Sequence, residues 1–128
     1  MKKCTVIFCE DREECKRLCS FVKREGFKAV PVHELSSFIS HLGDRQCLAA
    51  VIDLNARGID NGKIRELTLK HPGVYFLGLT KHRLNPEFKE SICYHIYACL
   101  TKPVDTDELV YWLRSIHEED RDGRQHDQ

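Results

Sequence analysis

The run Leu48-Ala49-Ala50-Val51-Ile52-Asp53 decides how the rest of the chain is read. Its five apolar residues show no polar alternation, so both faces of the strand they form are expected to be buried, as in the middle of a parallel sheet. An aspartate closes the run. In both directions from it, apolar runs and helical periodicities alternate, the pattern of parallel strands joined by crossover helices. Upstream, residues 5–9 read as a strand, and Cys15, Leu18, Cys19 and Val22 follow at helical spacing until Gly26 ends the helix. Residues 27–32 form a second strand whose Pro31 suits a sheet edge. Leu35, Phe38, Ile39 and Leu42 then define a second helix, with Gly43 as its stop.

Downstream of Asp53, a loop bearing Asn and Gly leads into a helix carrying Ile64 and Leu67, which ends near His71-Pro72-Gly73. Residues 74–79 repeat the fully buried strand pattern. A fourth helix is expected from near Pro86, with Phe88 and Ile92 facing inward, and residues 97–100 make a fifth strand. Asp105 can cap the last helix, with Glu108 three positions on and Leu109, Trp112, Leu113 and Ile116 as its apolar stripe. The expectation is one α/β domain over residues 1–117, a doubly wound five-stranded parallel sheet with five helices. Residues 118–128 hold no large apolar side chain and are dense in charge, so they read as a frayed tail or the start of a linker.

The composition sets limits on function. A chain of 128 residues, 41% hydrophobic and 31% charged, fits one globular domain with one sizeable core. Twenty basic and twenty acidic residues cancel, so no overall field draws the chain to nucleic acid or anionic lipid. No apolar run approaches the ~20 residues of a spanning helix, and Glu10-Asp11-Arg12-Glu13-Glu14 interrupts anything resembling a signal peptide. A cytoplasmic location is expected. The seven cysteines are odd in number and include no Cys-x-x-Cys pair, so they read as small core-filling residues rather than a zinc or disulfide framework. The histidines are scattered, without a His-x-x-x-His pair.

In a doubly wound sheet the ligand site lies beyond the carboxyl ends of the strands. Those ends carry Glu10-Asp11, Asp53, Thr80 and Thr101-Lys102-Pro103. Three carboxylates gathered at one edge repel unless a cation neutralises them, and hard oxygen donors in an open site favour Mg²⁺, commonly completed by a phosphate oxygen. Such a site suits phosphoryl transfer, with Asp53 as the nucleophile, Lys102 as a point charge on a phosphoryl oxygen and the Thr80 hydroxyl as a further donor.

The segments Ile7-Phe8-Cys9-Glu10-Asp11, Ala50-Val51-Ile52-Asp53-Leu54-Asn55, Phe76-Leu77-Gly78-Leu79-Thr80 and Leu100-Thr101-Lys102-Pro103 resemble, in order and spacing, the receiver domain of two-component response regulators. The resemblance implies a flavodoxin-like sheet of order 2-1-3-4-5. It implies an aspartyl phosphate on Asp53, received from a histidine kinase. Mg²⁺ would be held by Glu10, Asp11, Asp53 and the backbone carbonyl of Asn55, and a cis bond would precede Pro103. It further implies a switch through Thr80 and an aromatic on the fifth strand, and an output face made by the fourth helix, fifth strand and fifth helix. That face would engage an effector domain, a downstream protein or a second copy of the chain. Such a module is not an enzyme in the ordinary sense, since it catalyses only its own phosphorylation and dephosphorylation.

Three positions depart from the family pattern. The loop after Asp53 lacks the usual proline, and its Asp-Gly pair is replaced by Asp60-Asn61-Gly62, which suggests a looser loop. Lys81 stands after the switch threonine, where a small residue is usual. Cys99 replaces the aromatic three residues before Lys102, although Tyr97 two positions earlier is expected on the same strand face. Either Tyr97 serves as the switch, or signalling relies on Thr80 and backbone shifts. A pseudo-receiver that binds a partner without being phosphorylated is the alternative. A haloacid-dehalogenase-type phosphatase would need an aspartate where Asn55 stands, and a flavodoxin-like cofactor site would need a phosphate loop where Cys9-Glu10-Asp11-Arg12-Glu13 would repel an anion.

Overall fold

The structure is a computed structural model that describes residues 3–81 and 95–126. The expected helix near Pro86, with Phe88 and Ile92, lies outside the described residues, as does Cys93. Five strands, β1 (Cys4–Phe8), β2 (Lys28–Val32), β3 (Cys47–Asp53), β4 (Tyr75–Thr80) and β5 (Ala98–Thr101), pair in the order β2-β1-β3-β4-β5, all neighbours parallel. Every residue of β3 is buried, as its unbroken apolar run requires of the central strand. β2 takes the edge, where its Pro31 removes one donor.

The helices sort onto the two faces. α1 (Arg12–Arg24) and the last described helix, α4 (Thr106–His126), cover one face. There Leu18, Val22, Leu109, Leu113 and Ile116 pack on Ile7, Val51, Leu77 and Leu100. α2 (Leu35–Leu42) and α3 (Asn61–Lys70) cover the other, with Phe38, Leu42, Ile64 and Leu67 on Val6, Phe8, Ala50, Ile52 and Phe76. Phe8 and Phe38 stack at 5.2 Å between ring centroids. Gly78 lets the second face close: a Cβ there would come within 2.9 Å of Leu54 Cδ1 and 3.4 Å of Ile96 Cδ1. None of the described helices is long and apolar enough to cross a membrane.

Two sequence expectations change. The charged segment after residue 117 does not fray at once, because α4 continues to His126. Glu118, Glu119 and Arg121 are good helix formers on a solvated face, which offsets the weaker Asp120 and Asp122. Burial raises the Tyr97 pKa and the Glu119 carboxylate raises it further, which puts the first turn of the extension beside the entry to β5. The second change concerns Tyr97 itself. Its ring meets Tyr75 edge-on at 5.5 Å and Trp112 at 5.8 Å on the α1/α4 side, whereas Cys99 packs among the residues under α2 and α3. Tyr97 and Ala98 both face α4, so the two-residue alternation is broken at the entry to β5, and Tyr97 and Cys99 do not share a face.

Candidate functional site

The register carries the carboxyl ends of β1, β3, β4 and β5 to one edge: Phe8 lies beside Ile52, Asp53 beside Leu79, and Thr80 beside Thr101. Backbone bonds extend the ladder just past the strands, from Leu54 N–H to the Leu79 carbonyl and from Lys102 N–H to the Thr80 carbonyl, each 2.8 Å. Asp53 and Lys102 are thereby held on neighbouring rigid supports. The Lys102-Pro103 bond is cis, as the resemblance implied.

Asp53 is 4% exposed, and a carboxylate this buried needs partners. Its Oδ1 accepts from the Lys102 ammonium at 2.9 Å and from Asn55 N–H at 3.0 Å. Both bonds fall on the same oxygen, so Oδ2 is the atom without a described donor. Thr80, 1% exposed, ends the adjacent strand. Lys81 is exposed, and its N–H donates to the Asn55 side-chain oxygen at 3.0 Å, which clips the loop after Asp53 to the end of β4.

The acidic pair is placed at the edge but engaged locally. Asp11 is the N-cap of α1, its Oδ1 accepting from Glu13 N–H at 3.0 Å and Glu14 N–H at 3.3 Å. Glu10 accepts from Arg57 N–H at 3.2 Å and so holds the β3–α3 loop. That loop is better anchored than the missing proline suggested. Ala56 and Ile59 are buried, Gly58 turns at φ 83°, and Asp60 caps α3 through Lys63 N–H at 2.8 Å.

Sequence reasoning missed Glu14. It stands three residues after the cap, where a glutamate usually reaches back to the cap N–H. Its carboxylate lies instead 3.8 Å from Lys102 Nζ and 3.9 Å from Arg17, with its side chain 16% exposed. The Asp-x-x-Glu spacing from Asp11 was the available signal, and it points to capping rather than to the site. Cys9 registers the concentration of charge. Hydrogen bonding to Cys15 and burial push its thiol up, and the carboxylates of Asp53 and Glu14 push it further in the same direction.

Among the described residues no three His, Cys, Asp or Glu side chains are grouped as a metal cage. The set that could hold Mg²⁺ is smaller than the three carboxylates expected, namely the carboxylates of Asp11 and Asp53 with the Asn55 carbonyl, while Glu10 is engaged by Arg57 N–H. These are all hard oxygen donors, and the ion ordinarily keeps several waters, so the donor chemistry fits it. Of the expected switch residues, Thr80 is in place at the edge, while Tyr97 and Cys99 are on opposite faces of the sheet.

No family model matches the sequence, and no curated protein does. Solved structures do. A CheY-like response regulator receiver domain from Methanospirillum hungatei JF-1 superposes with a TM-score of 0.85 at 14% identity, over 96% of this chain and 99% of that one. The signal receiver domain of a putative LuxO repressor protein from Vibrio parahaemolyticus gives 0.86 at 12% identity, over 100% and 99%. A CheY-like receiver domain from Methylobacillus flagellatus gives 0.76 at 20% identity, over 91% and 99%. The chain has the receiver fold.

Proposed function

We propose that the chain is a phosphoacceptor signalling module, taking a phosphoryl group onto Asp53 from a histidine kinase. The observation that carries this reading is the Asp53 carboxylate, buried at a strand end with Lys102 and Asn55 N–H both on Oδ1. Oδ2 is then the nucleophile. As it attacks phosphorus, the bond from phosphorus to the donor's leaving atom breaks, and negative charge builds on the equatorial oxygens. Lys102 needs only a small movement from Oδ1 to meet one of them, and Thr80 stands at the next strand end for another. Asp11, Asp53 and the Asn55 carbonyl would hold Mg²⁺, which supplies further neutralisation of that charge. The resulting change would be passed to a downstream protein, an effector domain or a second copy of the chain.

Incubation with acetyl phosphate and Mg²⁺ tests the reading. The expected result is a gain of one phosphoryl mass that is lost on alkaline hydrolysis and absent in Asp53→Asn. Phosphorylation of Asp53→Asn to the same extent, or none in the wild type, would overturn it. One set of observations favours a pseudo-receiver instead: Asp11 is used as a helix cap, Glu10 as a loop anchor, and Lys81 follows Thr80. Under that reading the fold would bind its partner with Asp53 unmodified, and Asp53→Asn would leave partner binding unchanged.

A further inference from the structure

Glu14 adds a fourth carboxylate to the acceptor edge, and it approaches from α1 rather than from a strand end. Its oxygen lies 3.8 Å from Lys102 Nζ, while Asp53 Oδ1 lies 2.9 Å from the same nitrogen. The Lys102 ammonium is therefore shared between the acceptor and Glu14. The Glu14 carboxylate is held from a second side, since it also faces Arg17 at 3.9 Å and its side chain is 16% exposed. We propose that Glu14 is a specificity-determining residue of the acceptor site. Its fixed negative charge beside Lys102 disfavours small, highly charged phosphodonors relative to donors of lower charge.

The inference rests on the phosphoacceptor reading of Asp53. A carboxylate a few ångströms from the incoming phosphoryl group repels a dianion more than a monoanion, and only partial screening is available in a half-enclosed site. Lys102 offsets that repulsion for one oxygen, but Glu14 holds part of the same ammonium.

The test compares wild type with Glu14→Gln, which keeps the shape and removes the charge. Acetyl phosphate, a dianion, and phosphoramidate, which carries less charge, serve as donors at saturating Mg²⁺. Phosphorylation by acetyl phosphate is expected to quicken roughly fivefold in the variant and that by phosphoramidate roughly twofold or less, with both gains shrinking at high salt. Equal changes with the two donors would mark a merely structural residue and overturn the proposal. A parallel Mg²⁺ titration, followed by the amide signals of residues 53–57, does not require phosphorylation. There Glu14→Gln should weaken Mg²⁺ binding roughly threefold through loss of a nearby negative charge. If neither donor labels the wild type, the phosphoacceptor reading fails and this titration decides whether Glu14 charges the site; unchanged Mg²⁺ affinity overturns that too.

Discussion

Replacing Lys102 with methionine should reveal how far the edge depends on one cation. The ammonium lies 2.9 Å from Asp53 Oδ1 and 3.8 Å from Glu14, with side chains 15%, 5% and 16% exposed. At an effective dielectric of about 20, the attraction at the shorter distance is about 6 kcal/mol, most of it offset by the desolvation of both groups. Removing only the cation leaves the Asp53 charge buried beside Glu14 with one backbone N–H to hold it. We expect Lys102→Met to lower the unfolding free energy by about 2–3 kcal/mol, less than the ~3–5 for a fully enclosed pair because Lys102 stands at the mouth of the site. Asp53→Asn should differ: the amide oxygen can keep the Asn55 bond, Lys102 keeps Glu14, and a crowded charge is gone, so the change should stay within about 1 kcal/mol. Adding Asp53→Asn to Lys102→Met should then restore about 1.5 kcal/mol. Urea unfolding in EDTA, with all four proteins sharing one m-value, measures these differences. If Lys102→Met lost less than about 0.5 kcal/mol, or if the double variant recovered nothing, the pairing described for this edge would be wrong.

Three further tests address the surrounding frame. Gly78→Ala places a methyl 2.9 Å from Leu54 Cδ1, and its chemical denaturation should show a loss of about 1–3 kcal/mol, with the double variant Gly78→Ala/Leu54→Ala losing less than the sum of the two single losses. Burial lowers the His117 pKa, and Lys3 lowers it further against the opposing pull of Asp120. The folded state therefore binds a proton less readily than the unfolded one, so stability should be full above pH ~6.5 and fall as the pH drops below it. In His117→Gln that acid-side loss should be smaller, which thermal melts across the range would register. Burial, and after it the Glu119 carboxylate, push the Tyr97 pKa up, so in Glu119→Ala the Tyr97 titration should move back toward the ordinary tyrosine range, which ultraviolet absorbance at alkaline pH would register. An unmoved Tyr97 titration would show that Glu119 does not act on it.

The fold could be read from the sequence because its signals were local and mutually consistent. The unbroken apolar run of β3, the helical spacing of Cys15, Leu18, Cys19 and Val22, and the cap at Asp105 each reappear in the structure as read. Asp53 and Lys102 were also legible, since strand ends carry chemistry in this architecture wherever the chain places them. What escaped was whatever depended on a departure from regular geometry or on a contact across elements. Tyr97 was assigned to the wrong face because a strict two-residue alternation was assumed at the entry to β5. Glu14 was hidden because the same spacing serves a helix cap, and only the packing of α1 against the edge brings it to Lys102. The length of α4 escaped because a dense run of charge reads as a solvated tail in composition, whether or not it continues a helix.

Tyr97 is clamped between Tyr75 and Trp112, and under the proposed reading this clamp would set how movement at the acceptor edge travels. A ring held edge-on by two others is a fulcrum, not a flap. Only Pro103, Val104 and Asp105 separate Lys102 from the first residue of α4. A displacement of Lys102 toward a new anion would pull on the near end of a rod of 21 residues that pivots on this aromatic bearing. Under the proposed phosphoacceptor reading such a displacement would reach the far turns of the terminal helix by leverage, with Cys99 standing on the opposite face of the sheet.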